Sequence, residues 1–238
     1  MEFIKFDVID STNKYLKENY NKLNHNTIVT SLHQTSGRGR GDRVWVDSDD
    51  LLFSVLLKDN LNNISNLSLL IASSINKTFK KLYNIKSSIK WPNDIMINNK
   101  KIVGILLESV ISSKIECVII GVGINCNTMS FSDDLLVKAS SLKKELGIVI
   151  DKDQLLKEIM NQFDKDLFEF NKGNQEYLNI IRNNFYLKDK EITFTYNNKL
   201  IKGKCIDISN DGNILIESEG NILSLNSGEV SLSSVYKK

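Results

Sequence analysis

Nine residues, Gly37-Arg38-Gly39-Arg40-Gly41-Asp42-Arg43-Val44-Trp45, bring together three arginines, three glycines and a tryptophan. Such a stretch suits neither a helix nor a buried strand, and it is well made for holding anions. Glycine reaches φ > 0 and lets the backbone come close to a ligand, while each guanidinium is a rigid fork of donors matched to phosphate or carboxylate oxygens. Trp45 can stack on a purine or anchor the loop as an apolar plug. Taken alone, the segment supports only anion binding, RNA among the anions. A second cluster, Lys90-Trp91-Pro92-Asn93-Asp94 followed by Lys101, supplies cations beside a carboxylate. Ser11-Thr12-Asn13 and Gln34 supply uncharged donors and acceptors.

These residues need elements to position them. Residues 3–9 alternate apolar and polar as a strand does, and Asp10 or Ser11 then caps a helix to about residue 20 by accepting from its free amides. Residues 27–33 form a strand that delivers Gln34 and the glycine-arginine loop to its far end. Residues 51–58 read as a nearly continuous apolar strand of a covered sheet. Leu67, Leu70, Ile71, Ile75, Phe79 and Leu82 repeat at helical spacing, predicting a helix over 67–83 laid on that sheet.

Asn98-Asn99 is a two-residue turn between strands at 95–97 and 100–110, since asparagine tolerates the left-handed conformation. Ile97 then pairs with Lys100 and Met96 with Lys101, so strict alternation puts Asp94, Met96, Lys101 and Val103 on one face and Lys100 on the other. A site using Asp94 would therefore use Lys101. Another strand runs over 114–125, and helices are expected at 139–146 and 151–170. From Glu191 the chain turns to short strands broken at Asn197-Asn198, Asn210-Asp211-Gly212, Glu219-Gly220 and Ser227-Gly228, as in a small β-barrel. This divides the chain into 1–187 and 188–238, with the boundary near Leu187.

The 238 residues carry 31 basic and 29 acidic side chains, a net charge of +2, so the arginine loop is a local concentration and not a sample of a nucleic-acid-coating surface. Cys117, Cys126 and Cys205 are odd in number and widely spaced, which supports neither a disulfide framework nor a zinc cluster and fits reduced cytoplasmic thiols. Glu2, Lys5 and Asp7 speak against a secretory signal, and no apolar run approaches the ~18 residues of a membrane span. The single proline, Pro92, forces Trp91 out of helical geometry and fixes the entry to Asn93 and Asp94.

Read in order, Ser11-Thr12-Asn13, Gln34, Gly37-Arg38-Gly39-Arg40, Lys90-Trp91-Pro92-Asn93-Asp94, Lys101-Ile102-Val103-Gly104-Ile105-Leu106 and Gly121-Val122-Gly123-Ile124-Asn125 resemble the biotin protein ligases. The resemblance runs along the whole chain and is specific in combination, each motif being weak by itself. It implies an α+β fold: a central mixed sheet with packed helices, as in class II synthetases, plus a small C-terminal SH3-like β-barrel. It implies that biotin and ATP yield biotinyl-5′-adenylate, from which biotin passes to a lysine of a biotin carboxyl carrier protein. Lys101, Arg38 and Arg40 become the catalytic group. Ser11, Thr12, Asn13, Gln34, Arg38, Gly39, Arg40, Lys101, Gly104, Gly121 and Gly123 line the biotin pocket, the glycines letting the strands approach biotin. Arg38, Arg40, Arg43, Trp45, Asn93, Asp94 and Asn125 hold the nucleotide, with Mg2+ on the triphosphate and Asp94 as the nearest carboxylate to orient it.

A homodimer is a further expectation for this chain. Some relatives carry an N-terminal helix-turn-helix domain, for which a strand starting at Phe3 leaves no room, so neither DNA nor a membrane is an expected partner. Asp42 departs from the usual loop, where a Gly or Asn follows, and its charge is expected to weaken the local positive field. Two rivals stay open: a lipoate-type ligase sharing the fold and adenylation chemistry, and a nonenzymatic RNA-binding protein using the loop and the C-terminal strands.

Overall fold

The computed structural model describes residues 1–41, 43–46, 48–59, 61, 63–197, 199–228 and the backbone of 231–232. Asp42, with its expected effect on the loop's field, and Asn198 of the anticipated Asn197-Asn198 turn lie outside the described residues.

Alternation and apolar runs build a seven-stranded sheet from β1 (Glu2–Ile9), β2 (Thr27–Gln34), β3 (Leu51–Leu57), β4 (Ser88–Lys90), β5 (Asp94–Ile97), β6 (Lys100–Ile111) and β7 (Ile115–Ile124), in the order β1-β2-β3-β7-β6-β5-β4. Only β1 and β2 run parallel; the other neighbours are antiparallel, so the sheet is mixed as expected. Three helices, α2 (Leu67–Tyr83), α5 (Lys152–Asn171) and α6 (Glu176–Asn183), contribute to the main core on one face with Phe53, Val55, Val118, Ile120 and Val122. Asp151 caps α5 by accepting from Gln154 N at 2.9 Å. On the other face α1 (Thr12–Asn19) buries Leu16 against Val29, Leu56, Cys117 and Ile119. Complete burial of one such leucine contributes about 1.5–3 kcal/mol.

The period-2 geometry of β7 places the site. Cys117 and Ile119 lie beneath α1, and the same face continues with Gly121 and Gly123, paired with Ser54 and Leu52 of β3 and with Leu106 and Gly104 of β6. Side chains there shrink to hydrogen where α1 begins, opening a hollow over the sheet.

The Asn98-Asn99 turn is as expected, with φ of 48° and 63° at its two residues and Ile97 facing Lys100. Strict alternation beyond it fails. Met96 pairs with Lys101 but Ile95 with Val103 and Asp94 with Gly104, leaving Ile102 as an extra residue, a β-bulge. The bulge turns Lys101 and Gly104 toward the same side, while Met96 and Val103 go into buried packing, so the expected common face of Asp94, Met96, Lys101 and Val103 is corrected. The helix expected over 139–146 is shorter: α3 (Asp133–Leu136) was not anticipated, Ala139 runs as a parallel bridge to Lys101, and α4 spans only Leu142–Leu146.

The C-terminal strands β8 (Glu191–Tyr196), β9 (Lys199–Ile208), β10 (Ile214–Ser218), β11 (Asn221–Leu225) and β12 (Ser231–Leu232) form an antiparallel sheet ordered β11-β10-β9-β8-β12. It is the small β unit expected, though among the described residues its pairing runs open from one edge to the other and does not close into a ring. The main core continues into it through Ile192, Phe194, Ile208, Ile214 and Ile216. Trp91 is 2% exposed and donates its indole N–H to Gly212 O at 3.0 Å, so it is a core residue tying the two parts together.

Candidate active site

A cavity of about 980 Å3 opens over the glycine face of the sheet. All the candidate residues named from sequence line it: Ser11, Thr12, Asn13, Gln34, Arg38, Gly39, Arg40, Arg43, Trp45, Asn93, Asp94, Lys101, Gly104, Gly121, Gly123 and Asn125. Four separate stretches of chain thus converge.

One end is neutral and its side chains are buried. Ser11, at 3% exposure, caps α1 from its start, which leaves Thr12 and Asn13 facing inward at 4% and 5%. Thr12 N donates to Gln34 Oε1 at 2.7 Å, and the Thr12 hydroxyl lies 2.7 Å from Ser54 Oγ. Ser54 donates to Asn13 Oδ1 at 2.6 Å, and Asn13 Nδ2 donates to Glu108 Oε2 at 2.7 Å. An added Cβ at Gly121 would overlap the Asn13 carboxamide, so this glycine makes room for a side chain of the protein itself.

The other end is cationic. Arg38, Arg40, Arg43, Lys90, Lys101 and Lys138 line it against the carboxylates Asp94 and Asp134. The glycine-arginine loop is a narrow hairpin: Gly39 N donates to Arg43 O at 2.8 Å, Trp45 N to Gly37 O at 3.0 Å, and Gly41 takes φ 65° at the tip. Burial pushes the Lys90 ammonium below its ordinary pKa; Asp94 opposes that shift, and Lys101 and Arg43 reinforce it. Lys101 Nζ stands 2.7 Å from Asp94 Oδ1, a charge contact, yet this buried oxygen has no aligned hydrogen-bond donor. The ammonium is held close without being locked in direction.

Trp45 joins the two ends. Its ring lies across the facing glycines, so a Cβ at Gly123 would come within 2.6 Å of Trp45 Cε2 and one at Gly104 within 2.7 Å of Cζ3. Lys101 Nζ sits 5.6 Å from the ring centroid, within cation–π range. The notches at Gly104 and Gly123, expected to admit biotin, are filled by this indole, whose N–H is buried without an acceptor. Asn125 lines the cavity, but its side-chain amide donates to Ser140 O at 2.9 Å and so fixes a wall. Asn93 likewise donates to Ile105 O at 2.8 Å.

Sequence reasoning missed that wall. Phe131, Asp134, Leu135, Lys138 and Ala139 line the cavity because Lys101 N donates to Lys138 O and Ser140 N to Lys101 O, along the edge of β6 where the pairing with β7 has not yet begun. No local signal marks them. Lys90 had one, its place in the Lys-Trp-Pro-Asn-Asp motif, and Ser54 and Glu108 become visible only through their contacts. Among the described residues no group of three or more His, Cys, Asp or Glu side chains could hold a metal, and no helix is long and apolar enough to cross a membrane.

The fold and site are thus a mixed sheet with a basic loop over a cavity that is neutral at one end and cationic at the other. Residues 5–125 match the Biotin/lipoate A/B protein ligase family and residues 189–233 the Biotin protein ligase C terminal domain. The bifunctional ligase/repressor BirA of Bacillus spizizenii is 32% identical over 235 residues, covering 95% of this chain and 72% of that protein, and BirA of Escherichia coli is 28% identical over 237 residues, covering 97% and 74%. A biotin protein ligase from Aquifex aeolicus, solved in complex with biotin and ATP, is similar with a TM-score of 0.89 at 29% identity over 98% of each chain. The chain belongs to the biotin/lipoate A/B protein ligase family, within its biotin protein ligases.

Proposed function

We propose that this ligase joins biotin to a lysine of a biotin carboxyl carrier domain by way of biotinyl-5′-adenylate. The observation that carries the reading is the two-ended cavity: a buried neutral network suited to an uncharged ureido ring, and six cationic side chains suited to a carboxylate and a triphosphate side by side. Bringing those two anions together in a low-dielectric site is prohibitive without fixed positive charge.

In the first half-reaction a biotin carboxylate oxygen bonds to the α-phosphorus and the bond to pyrophosphate breaks. Lys101, Arg38 and Arg40 neutralise the charge gathering there, and Arg43 helps hold the phosphates. Ser11, Thr12, Asn13 and Gln34 hold the ureido group, with Gly39 giving close backbone approach and Gly121 making room for the Asn13 side chain. Trp45 covers the adenine side, while Asn93 and Asn125 shape its walls. In the second, a neutral lysine amine attacks the acyl carbon, AMP leaves with the bonding pair, and the amine sheds its proton. Arg38→Ala or Arg40→Ala would let the adenylate escape and label nearby lysines indiscriminately.

Magnesium would enter on ATP, where it offsets phosphate charge. The donor set fits that mode better than an all-protein cage, since among the described residues Asp94 is the single carboxylate beside Lys101 with an oxygen lacking an aligned donor. We also assign residues 1–187 to the catalytic unit and 188–238 to the C-terminal unit, supported by the change from the mixed to the antiparallel sheet after Leu187. The near-neutral charge and reduced thiols favour a cytoplasmic ligase that does not act as a repressor.

Exchange of ATP with labelled pyrophosphate tests the reading. Biotin-dependent exchange supports it, exchange with lipoate alone moves the chain to the lipoate branch, and no exchange with either overturns adenylation.

A further inference from the structure

Ser54 and Glu108 do not line the cavity, yet both hold residues that do. We propose that Glu108, acting through Asn13 and Ser54, dictates the direction of the Thr12 proton and thereby makes the neutral end of the cavity select ligands that bring N–H donors. The proposal rests on the biotin ligase reading and adds two positioning residues that set its specificity.

The direction follows from counting protons along the chain of contacts. A carboxylate has no proton to give, so Asn13 must turn its NH2 toward Glu108 Oε2, 2.7 Å away. Its carbonyl oxygen then faces Ser54 and can only accept, which claims the single Ser54 proton over 2.6 Å. Ser54 Oγ is left as an acceptor for Thr12 Oγ1 at 2.7 Å, which claims the single Thr12 proton in turn. Gln34 Oε1, 3.1 Å from that hydroxyl, is a second and longer acceptor for the same proton and also accepts from Thr12 N at 2.7 Å, so with either partner the Thr12 proton stays within the protein. Each link is forced by the one before, and all originate at Glu108.

The consequence appears at the cavity surface. Thr12 and Asn13 line it, and with the Thr12 proton and one Asn13 N–H engaged within the protein their oxygens offer lone pairs to a ligand. A cyclic urea brings two N–H groups to such a surface, whereas a dithiolane ring brings none. Because Ser54 is fully buried and Thr12 and Asn13 nearly so, water cannot repair a mismatched pairing. Lys17 Nζ, 3.8 Å from Glu108 Oε1, keeps a positive charge beside the origin of the chain.

Replacing Glu108 by glutamine removes the constraint with little change of shape, because glutamine can present either an acceptor or a donor to Asn13. The whole series can then reverse. The test compares biotin with a cyclic carbamate analogue in which a ring oxygen replaces one ureido N–H, both measured by ATP–pyrophosphate exchange. The parent protein should disfavour the carbamate in kcat/KM by on the order of 10² or more, since a site built for N–H rejects a ligand lacking it. In E108Q that ratio should shrink at least tenfold, mainly through a higher KM for biotin and with kcat less affected. S54A, which cuts the series in the middle, should shrink it as well and provides the reading should E108Q fail to fold. If both variants lose activity equally toward the two ligands and keep the parent ratio, the residues only support the structure and the proposal falls. If the parent shows no biotin-dependent exchange, the ligase reading falls first and takes this proposal with it.

Discussion

Arg38, Arg40 and Arg43 stand exposed on a hairpin, Arg40 held by Ser227 O at 3.0 Å and by Asn93 Oδ1 at 3.4 Å. Across the same cavity Thr12, Asn13 and Ser54 are buried and bonded at 2.6–2.7 Å. The contrast follows from the distance laws. Attraction between charges falls slowly with separation and tolerates a loosely placed guanidinium, whereas a neutral hydrogen bond weakens steeply out of line and has to be set in advance by the fold. The charged end therefore supplies force and the neutral end supplies discrimination.

The largest break in that comparison should come from Lys101→Ala, which removes the cation beside Asp94 at the junction of the two ends. Pyrophosphate exchange should fall on the order of 10² to 10³-fold while circular dichroism stays unchanged. Undiminished exchange from a folded variant would remove Lys101 from the chemistry. Next, Thr12→Val should weaken biotin binding roughly tenfold to a hundredfold, the cost of about 1–3 kcal/mol for leaving a buried partner unpaired, and leave ATP affinity as it was. Calorimetric titration with each ligand separates the ends; equal losses for both would mean that they are not independent.

Gly123→Ala probes where they meet. Its new Cβ would fall 2.6 Å from the Trp45 ring, so the indole must shift, at about 1–3 kcal/mol of stability. With two tryptophans in the chain, a Trp91→Phe background isolates Trp45, whose emission should move to the red. An unmoved spectrum would show that the indole does not need the notch. Arg40→Ala should change ATP affinity only a few-fold, as expected for an exposed charge, with the loss fading in high salt. A hundredfold loss would mean the charged end is as finely set as the neutral one.

The smallest effect should come from alkylating reagents. Burial pushes the Cys126 and Cys205 thiols up to about 12 and raises Cys117 as well. All three should stay unlabelled by a thiol reagent at pH 8 and react only on unfolding. Labelling of native Cys117 would expose motion in the core beneath the neutral end, and labelling of Cys126 or Cys205 motion in the main core.

Much of this was legible from residue types. The Ser11 cap, the helix of residues 67–83 and the Asn98-Asn99 turn follow from short-range rules of capping, periodicity and left-handed backbone, and the motifs brought all sixteen named residues to one cavity. Alternation alone does not place Lys101 correctly. Alternation put it beside Asp94 but also put Val103 there, and only the bulge at Ile102 resolved which neighbour joined it. The glycine notches were visible, though not that Trp45 and Asn13 would fill them. The wall at 131–139 gave no sign, because its place depends on backbone groups of Lys101 that lie beyond the β6–β7 pairing.

The sequence by itself determined which chemical groups the protein owns, where helices and turns begin, and which family it resembles, since these depend on neighbours a few residues apart. The tertiary structure alone decided that Glu108 reaches Asn13, that Ser54 stands between Asn13 and Thr12, and that Trp45 bridges Gly104 and Gly123. Those contacts join distant stretches of chain through the register of strands, and a single inserted residue changes which side chains share a face.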